Sequence, residues 1–421
     1  MKISSINLYF IEQVYILQYI SVPKSGELCK LDKDTPKRVL ILGAGVAGLR
    51  VAFYLQKRID PEDAEIVLIE ENDYHQYLYR IHEVCNSHYE DEEIIVPISR
   101  LLKGKKVKFL NTSVTGVDPE RRMVETTDGD QPYDVLAITL GSHPEFYGIE
   151  GLEENSLTLG SFEQAKRIRD RIEELFDVAE ETRKPPAILI GGGGFSGVEL
   201  AGEIADWYPI LCERHGLEVP RELVTIIEAM PTILPGWDPK LVERAQKVLG
   251  DLGVNLILGD PITRVTSEQV EARSGRVLEP DLFIWTGGVK MNQCSMGDVE
   301  IRGRRIVTDE YNRVPNHPDI FVAGDSACTI DETGRLQPPT AHIAMVQGDI
   351  IGHNIHALLT GGAMKRYEFD RVGEIVTLGK TNAVGELFGL KFSGALAKFM
   401  KRVVHWWYLY TIGGIGLVWG S

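Results

Sequence analysis

Two glycine hexads in this chain have the residue types and spacing to hold phosphate: Gly43-Ala44-Gly45-Val46-Ala47-Gly48 and Gly192-Gly193-Gly194-Phe195-Ser196-Gly197. Each follows an apolar run and opens a helical pattern. In such a hexad the first glycine permits a tight turn and the second lets a pyrophosphate approach the backbone. The third lets helix and strand pack closely, and the helix N-terminus adds partial positive charge. Each hexad also has an acid at the end of the next apolar run, Glu70 and Glu228, placed to accept hydrogen bonds from ribose hydroxyls. A carboxylate at Glu228 accepts from the 2′-hydroxyl of NAD and repels the 2′-phosphate of NADP, so the second unit is read as an NADH site. One such unit suits any dehydrogenase, and a glycine turn alone suits many α/β folds. Two in one chain suit an oxidoreductase that holds FAD at the first and NADH at the second.

A third signal is Ile320-Phe321-Val322-Ala323-Gly324-Asp325, an apolar strand that turns at glycine into an acid. Asp325 can bind a ribityl hydroxyl of FAD. The helix expected from Thr340 or Ala341 to about Leu359 can aim its N-terminal amides at the flavin pyrimidine, where negative charge develops on reduction. His342, in the first turn of that helix, is a candidate proton donor to an acceptor. His353 and His356 share the helix but lack a third ligand at matching spacing, so they are read as a polar face and no metal is expected. Glu199 follows Gly197 in the first turn of its helix, where a carboxylate also simply complements the dipole.

These groups need elements to position them. The first hexad sits between apolar runs at Val39 to Leu42 and Ile66 to Ile69, a βαβ unit; the syntax returns at Ala187 to Ile190 and Leu223 to Ile227, with a helix from Phe195 to Asp206. The repeat predicts an α/β fold of two Rossmann-like dinucleotide-binding domains, and the basic and aromatic residues of the C-terminal region add a membrane-associating segment to that expectation. The expected divisions are an extension at 1–37, an FAD-binding part at 38–155, an NADH-binding domain at 156–289, a second FAD-binding part at 290–365 and the C-terminal region at 366–421.

At 421 residues and 43% hydrophobic, the chain is long enough for these domains. Its 45 basic and 61 acidic residues give a net charge of -16, which argues against a nucleic-acid partner. The five cysteines form no CxxC pair and read as reduced thiols. Residues 7–22 and the tract from Trp406 to Trp419 are apolar, yet neither has the ~20 uninterrupted apolar residues of a membrane span. Lys398, Lys401 and Arg402 precede the aromatic tract, a pattern that suits a helix lying in the headgroup region.

The run GAGVAGL, the segment NDYH at 72–75, LGSHPEFYGIEG at 140–151, GGGGFSGVELAGE at 191–203, EAMPTILPGWDP at 228–239, WTGGV at 285–289, AGD at 323–325 and PPTA at 338–341 occur in this order. Together they resemble the type II NADH dehydrogenases, the single-subunit, non-proton-pumping NADH:quinone oxidoreductases, from Arg38 to the C-terminus. The resemblance implies FAD contacts at Gly43 to Gly48, Glu70, Gly141, Ser142 and Asp325, with Ala341 opening the flavin-facing helix. It implies an NADH site at Gly192 to Gly197, Glu228 and Gly287-Gly288, with Glu199 near the nicotinamide. In the family a glutamine follows PPTA and a paired glutamine stands four residues on; this chain has His342 and Val346, with Gln347 retained. The resemblance further implies hydride transfer from NADH to flavin and then two electrons to a membrane quinone. It implies monotopic attachment at the cytoplasmic face of the cell membrane, and a homodimer is expected. Alternatives are a sulfide:quinone oxidoreductase, which needs reactive cysteines such as Cys294 and Cys328, and an FAD- and NAD-binding redox sensor without quinone turnover.

Overall fold

The structure, a computed structural model, describes residues 36–86, 93–292, 296–297, 299–330, 336–368 and 373–418. Nearly all of the expected extension, residues 1–35, lies outside them, as do Cys29 and Cys294.

The strand Lys37–Leu42 is the centre of a six-stranded sheet. Its order runs Arg313–Val314, His317–Val322, Val135–Ile138, Lys37–Leu42, Ala64–Glu70 and Lys108–Asn111. All neighbours are parallel except Arg313–Val314. Val39 to Leu42 are buried on both faces, as a parallel sheet covered on both sides requires. The helices Val46–Leu55 and Ala341–Thr360 pack together against this sheet.

A second sheet, wholly parallel, orders Leu157–Thr158, Leu282–Trp285, Ile188–Gly191, Val224–Glu228 and Val254–Leu258. The chain therefore leaves the first sheet after Ile138, builds the second, and returns with His317–Val322 beside Val135–Ile138. Both fingerprints start at strand C-termini, where open parallel sheets bind ligands.

The helix after the second hexad runs Phe195–Arg214, eight residues beyond the expected Asp206, and carries Pro209 inside it. Burial of Trp207, Tyr208, Leu211 and Cys212 continues the helix across the missing amide. A 3-10 helix at Leu78–Cys85 had no signature in the sequence.

The C-terminal region is a three-stranded antiparallel sheet, Gly373–Leu378, Asn382–Leu387 and Leu390–Ser393, followed by the helices Ala395–Gly413 and Ile415–Val418. Val376, Leu378 and Val384 join the core beneath the second sheet, while Tyr408, Leu409 and Ile412 join the core of the first. The region thus ties the two cores together. No helix of the described residues is long and apolar enough to cross a membrane.

Candidate functional site

The two fingerprints have the same internal geometry. The Gly43 amide donates to Ile69 O at 2.7 Å and the Gly192 amide to Ile227 O at 2.9 Å, closing each turn onto the neighbouring strand. Glu70 Oε2 accepts from the Ala44 amide at 2.8 Å, and Glu228 Oε2 from the Gly193 amide at 2.5 Å. Their second oxygens accept from the amides of Asn72 and Met230. Each carboxylate keeps lone pairs for ribose hydroxyls. Two threonines that sequence reasoning missed complete the likeness. Thr139 Oγ1 donates to Leu42 O and Gly43 O, and Thr286 Oγ1 to Gly191 O and Gly192 O. Each stands one residue past an apolar strand, a position readable in ITLG and WTGG.

The glycines divide by role in the same way. A Cβ at Gly48 would lie 1.9 Å from Gly43 O, and one at Gly197 2.0 Å from Gly192 O. Packing dictates both. A Cβ at Gly45 or Gly194 would meet nothing within 4 Å, so these two border open space beside helix N-termini. That is the cradle a dinucleotide pyrophosphate requires, and the first one fits FAD.

Around the first cradle, Ser142 Oγ donates to Asp325 Oδ2 at 2.5 Å. Burial raises the Asp325 carboxyl above its ordinary value, against the lowering effects of Ser142 and Arg305. Gly141 has φ +70, and its carbonyl accepts from Ser326 Oγ. Thr340 caps the helix that Ala341 opens, its hydroxyl accepting from the Ile343 amide. Half-buried His342 lies in that first turn. Gln347 is fully buried, and both ends are engaged: Oε1 accepts from the Gly324 amide at 2.7 Å and Nε2 donates to Thr329 Oγ1 at 3.1 Å. It holds the turn that presents Asp325. At the second cradle, Phe195 packs edge-on to Trp237, and Gly192 lies against Gly287.

Glu199 lies in a buried polar ladder to which three other elements contribute. Its Oε1 accepts from the Thr377 amide and hydroxyl at 2.8 and 3.0 Å and from Lys401 Nζ, while Oε2 stands 3.4 Å from His82 Nδ1. Four residues along the same helix, Glu203 Oε2 accepts from Asn86 Nδ2 at 2.6 Å, and Lys398 Nζ stands 3.8 Å from its Oε1. Burial pushes His82 down to about 4, so its imidazole is neutral at pH 7. Burial also raises Glu199, but His82 once protonated in acid, Lys401 and the Thr377 bond outweigh it and hold the carboxyl below its ordinary value. His82, Thr377 and Lys401 have no motif, and only the fold brings them to Glu199. A second link runs from the first cradle: Ala44 O meets His75 Nδ1 at 2.8 Å, and Tyr408 Oη meets His75 Nε2 at 2.9 Å.

The pyridine nucleotide-disulphide oxidoreductase family matches residues 37–348. A type II NADH:quinone oxidoreductase of Staphylococcus haemolyticus is 35% identical over 390 residues, covering 90% of this chain and 97% of the relative. One of Staphylococcus aureus is 34% identical over 391 residues with the same coverage. The chain belongs to the type II NADH:quinone oxidoreductases. In solved structures the fold matches NDH2 of Plasmodium falciparum in complex with NADH, with a TM-score of 0.78, 16% identity and coverage of 90% of this chain and 96% of that one. It also matches the sulfide:quinone oxidoreductase of Aquifex aeolicus, with a TM-score of 0.74, 20% identity and coverage of 90% and 91%.

Within this type II family member, Cys85, Cys212 and Cys328 are free and buried, and burial raises each thiol above its ordinary value. Such thiols are inert at neutral pH. His353 is occupied on both ring nitrogens, by Tyr54 Oη and Ala363 O. No metal-holding group of three His, Cys, Asp or Glu occurs among the described residues.

The C-terminal helix departs from the expectation in which residues it exposes. Lys401 and Lys398 turn inward to Glu199 and Glu203, leaving Arg402 over the Trp406 ring as the outward cation of that trio. His405 and Tyr408 are buried. The exposed apolar side chains are Leu396, Phe399, Val404 and Tyr410 on the helix and Phe388 and Leu390 on the preceding hairpin, the last two the most exposed with Leu396.

Proposed function

We propose that this chain oxidises NADH and reduces a membrane quinone through FAD, without pumping protons. The observation that carries the reading is the duplicated cradle: two open glycines, each beside a helix N-terminus and each with an acid bound to its turn. Bound FAD would supply the two-electron chemistry, accepting hydride from NADH and passing electrons on.

The residues divide between binding and positioning. Gly43, Ala44, Gly45, Gly48 and Glu70 hold the adenosine and pyrophosphate end of FAD; Gly141, Ser142, Asp325 and Ala341 face its ribityl and ring. Gly192, Gly194, Phe195, Gly197, Glu228, Gly287 and Gly288 hold NADH. Glu228 selects it against NADPH by charge. The amides opening helix Ala341–Thr360 favour negative charge on the flavin side they face. His342 is assigned proton delivery to the acceptor, and Gln347 keeps the Gly324 turn in place. Glu199, charged and tied to Lys401, couples the nicotinamide side to the C-terminal helix. The boundaries given above, 38–155 with 290–365 for FAD and 156–289 for NADH, follow from this assignment.

Exposed Phe388, Leu390, Leu396 and Phe399 form the surface we assign to a monotopic membrane contact on the quinone side. A homodimer at the cytoplasmic face of the cell membrane belongs to the same reading, and sedimentation of detergent-free and detergent-solubilised protein tests its stoichiometry.

Anaerobic mixing decides the function. NADH should bleach the flavin and a quinone should restore it, while NADPH and sulfide leave it oxidised. A flavin untouched by NADH refutes the proposal, and bleaching without reoxidation by any quinone turns it toward a sensor.

A further inference from the structure

Tyr147 stands where the chain leaving the first sheet passes the Gly287-Gly288 turn beside the second fingerprint. Ser142–Pro144 pairs antiparallel with Val289–Met291, and the Glu145 amide donates to Gly288 O at 3.0 Å. Trp285 Nε1 donates to Glu145 O at 2.7 Å, fastening the same segment from the other side. Glu145 Oε1 accepts from the Tyr147 amide at 2.7 Å. Tyr147 is thus carried on a fixed arm.

What the arm carries is an exposed aromatic ring in a strained backbone. Tyr147 has φ +53, a region that L side chains disfavour, and 55% of the residue is exposed. Burial therefore does not explain the ring. Its hydroxyl reaches over the Gly287-Gly288 turn: it lies 3.4 Å from Gly287 O, and a Cβ at Gly288 would lie 2.2 Å from it. That turn in turn borders the second cradle, where a Cβ on Gly192 would be 2.8 Å from Gly287 Cα. The ring meets Trp285 edge-on with centroids 6.5 Å apart, and the Arg304 guanidinium, ion-paired with Glu145, lies 5.4 Å from its centroid. Strain kept at an exposed aromatic beside a nucleotide cradle has the form expected of a ligand contact.

We propose that Tyr147 is a binding residue for the nicotinamide half of NADH, an aromatic cap whose ring packs on the nucleotide held at Gly192 to Gly197. The inference rests on the reading of that cradle as the NADH site. An aromatic face supplies apolar area to the nicotinamide and its ribose, and the long bond to Gly287 O leaves the hydroxyl able to turn toward a ribose oxygen.

Tyr147→Gly and Tyr147→Phe test it on the flavin-loaded enzyme. Glycine removes the ring and relieves the positive φ, so the thermal midpoint should hold or rise while the dissociation constant for NADH, read from flavin-reduction rates, increases roughly tenfold. Phenylalanine should recover most of the affinity. Reoxidation by quinone after dithionite reduction should be unchanged in both. The proposal is overturned if Tyr147→Gly binds NADH like the parent, if its midpoint falls along with affinity, or if Tyr147→Phe is as impaired as glycine. A parent enzyme that NADH fails to bleach would instead overturn the underlying reading, with no reference to Tyr147.

Discussion

Glu199 and Lys401 stand 202 positions apart in the chain and share a buried ion pair. Glu199 follows the second fingerprint, and Lys401 belongs to the C-terminal helix. Removing one partner leaves the other charged in a dry setting, which costs about 3 kcal/mol. Lys401→Met should therefore lower stability by about that amount in a urea melt, and Lys401→Met with Glu199→Gln should recover part of it. Because the folded Glu199 carboxyl lies below its ordinary value of 4.5, its contribution is present above pH 4.5 and is lost as pH falls through the folded value. If the double variant melts no better than Lys401→Met, the two residues are not coupled.

Glu203, one turn along, has the opposite sign. Burial raises its carboxyl to about 7, Lys398 lowering it in part. A raised folded value favours the protonated form, so this stability is present below pH 4.5 and lost as pH rises through 7. Glu203→Gln, which resembles the protonated acid, should match the parent near pH 5 and exceed it near pH 8 by on the order of 3 kcal/mol. Thermal melts at the two pH values check it; equal differences at both would remove the titration from the account.

The cradles and the polar ladder mark the limit of what residue order encodes. Gly43, Gly48, Glu70 and their counterparts act on neighbours along one βαβ unit, so local spacing carries their geometry, and both units stand where that spacing put them. Asp325 was legible because its strand ends in a glycine turn. His82, Thr377 and Lys401 reach Glu199 from three separate elements, and no spacing rule joins them. The same blindness explains the C-terminal helix. Composition shows basic and aromatic residues together, yet which face they occupy depends on Glu199 and Glu203, which hold Lys401 and Lys398 inward.

Gly45 and Gly48 should separate binding from folding. A methyl at Gly45 meets open space, so Gly45→Ala should leave the apo melt within about 0.5 kcal/mol of the parent while reducing the retained flavin. Gly48→Ala drives a methyl against Gly43 O and should fail to fold. The flavin absorbance per polypeptide and the far-UV spectrum distinguish them. Retention of flavin by Gly45→Ala at the parental level would place the pyrophosphate elsewhere.

Glu228 tests the choice of nucleotide. Its carboxylate holds the turn through the Gly193 and Met230 amides and has acceptor capacity for a ribose hydroxyl. Glu228→Gln keeps the size but loses the charge, weakening bonds worth about 1.5–3 kcal/mol. kcat/KM for NADH should fall roughly tenfold or more and that for NADPH should rise, since the repulsion of the 2′-phosphate is gone. A variant with an unchanged preference would show that Glu228 does not choose the nucleotide.

Membrane attachment is best tested at the hairpin. Truncation before Ala395 would strip Tyr408, Leu409 and Ile412 from the first core and Lys401 from Glu199, so a loss of binding would report unfolding as readily as detachment. Phe388 and Leu390 are 60% and 68% exposed and touch neither core, so Phe388→Glu with Leu390→Glu changes the surface alone. Each apolar side chain seated in lipid contributes about 1.5–3 kcal/mol, and the two acids add repulsion from anionic headgroups. The double variant should therefore leave anionic vesicles in a flotation assay while its thermal midpoint and its bleaching by NADH stay at parental values. Turnover with a lipid-dissolved quinone should fall, and turnover with a short-chain, water-soluble one should not. Continued flotation with the vesicles would remove the hairpin from the membrane contact.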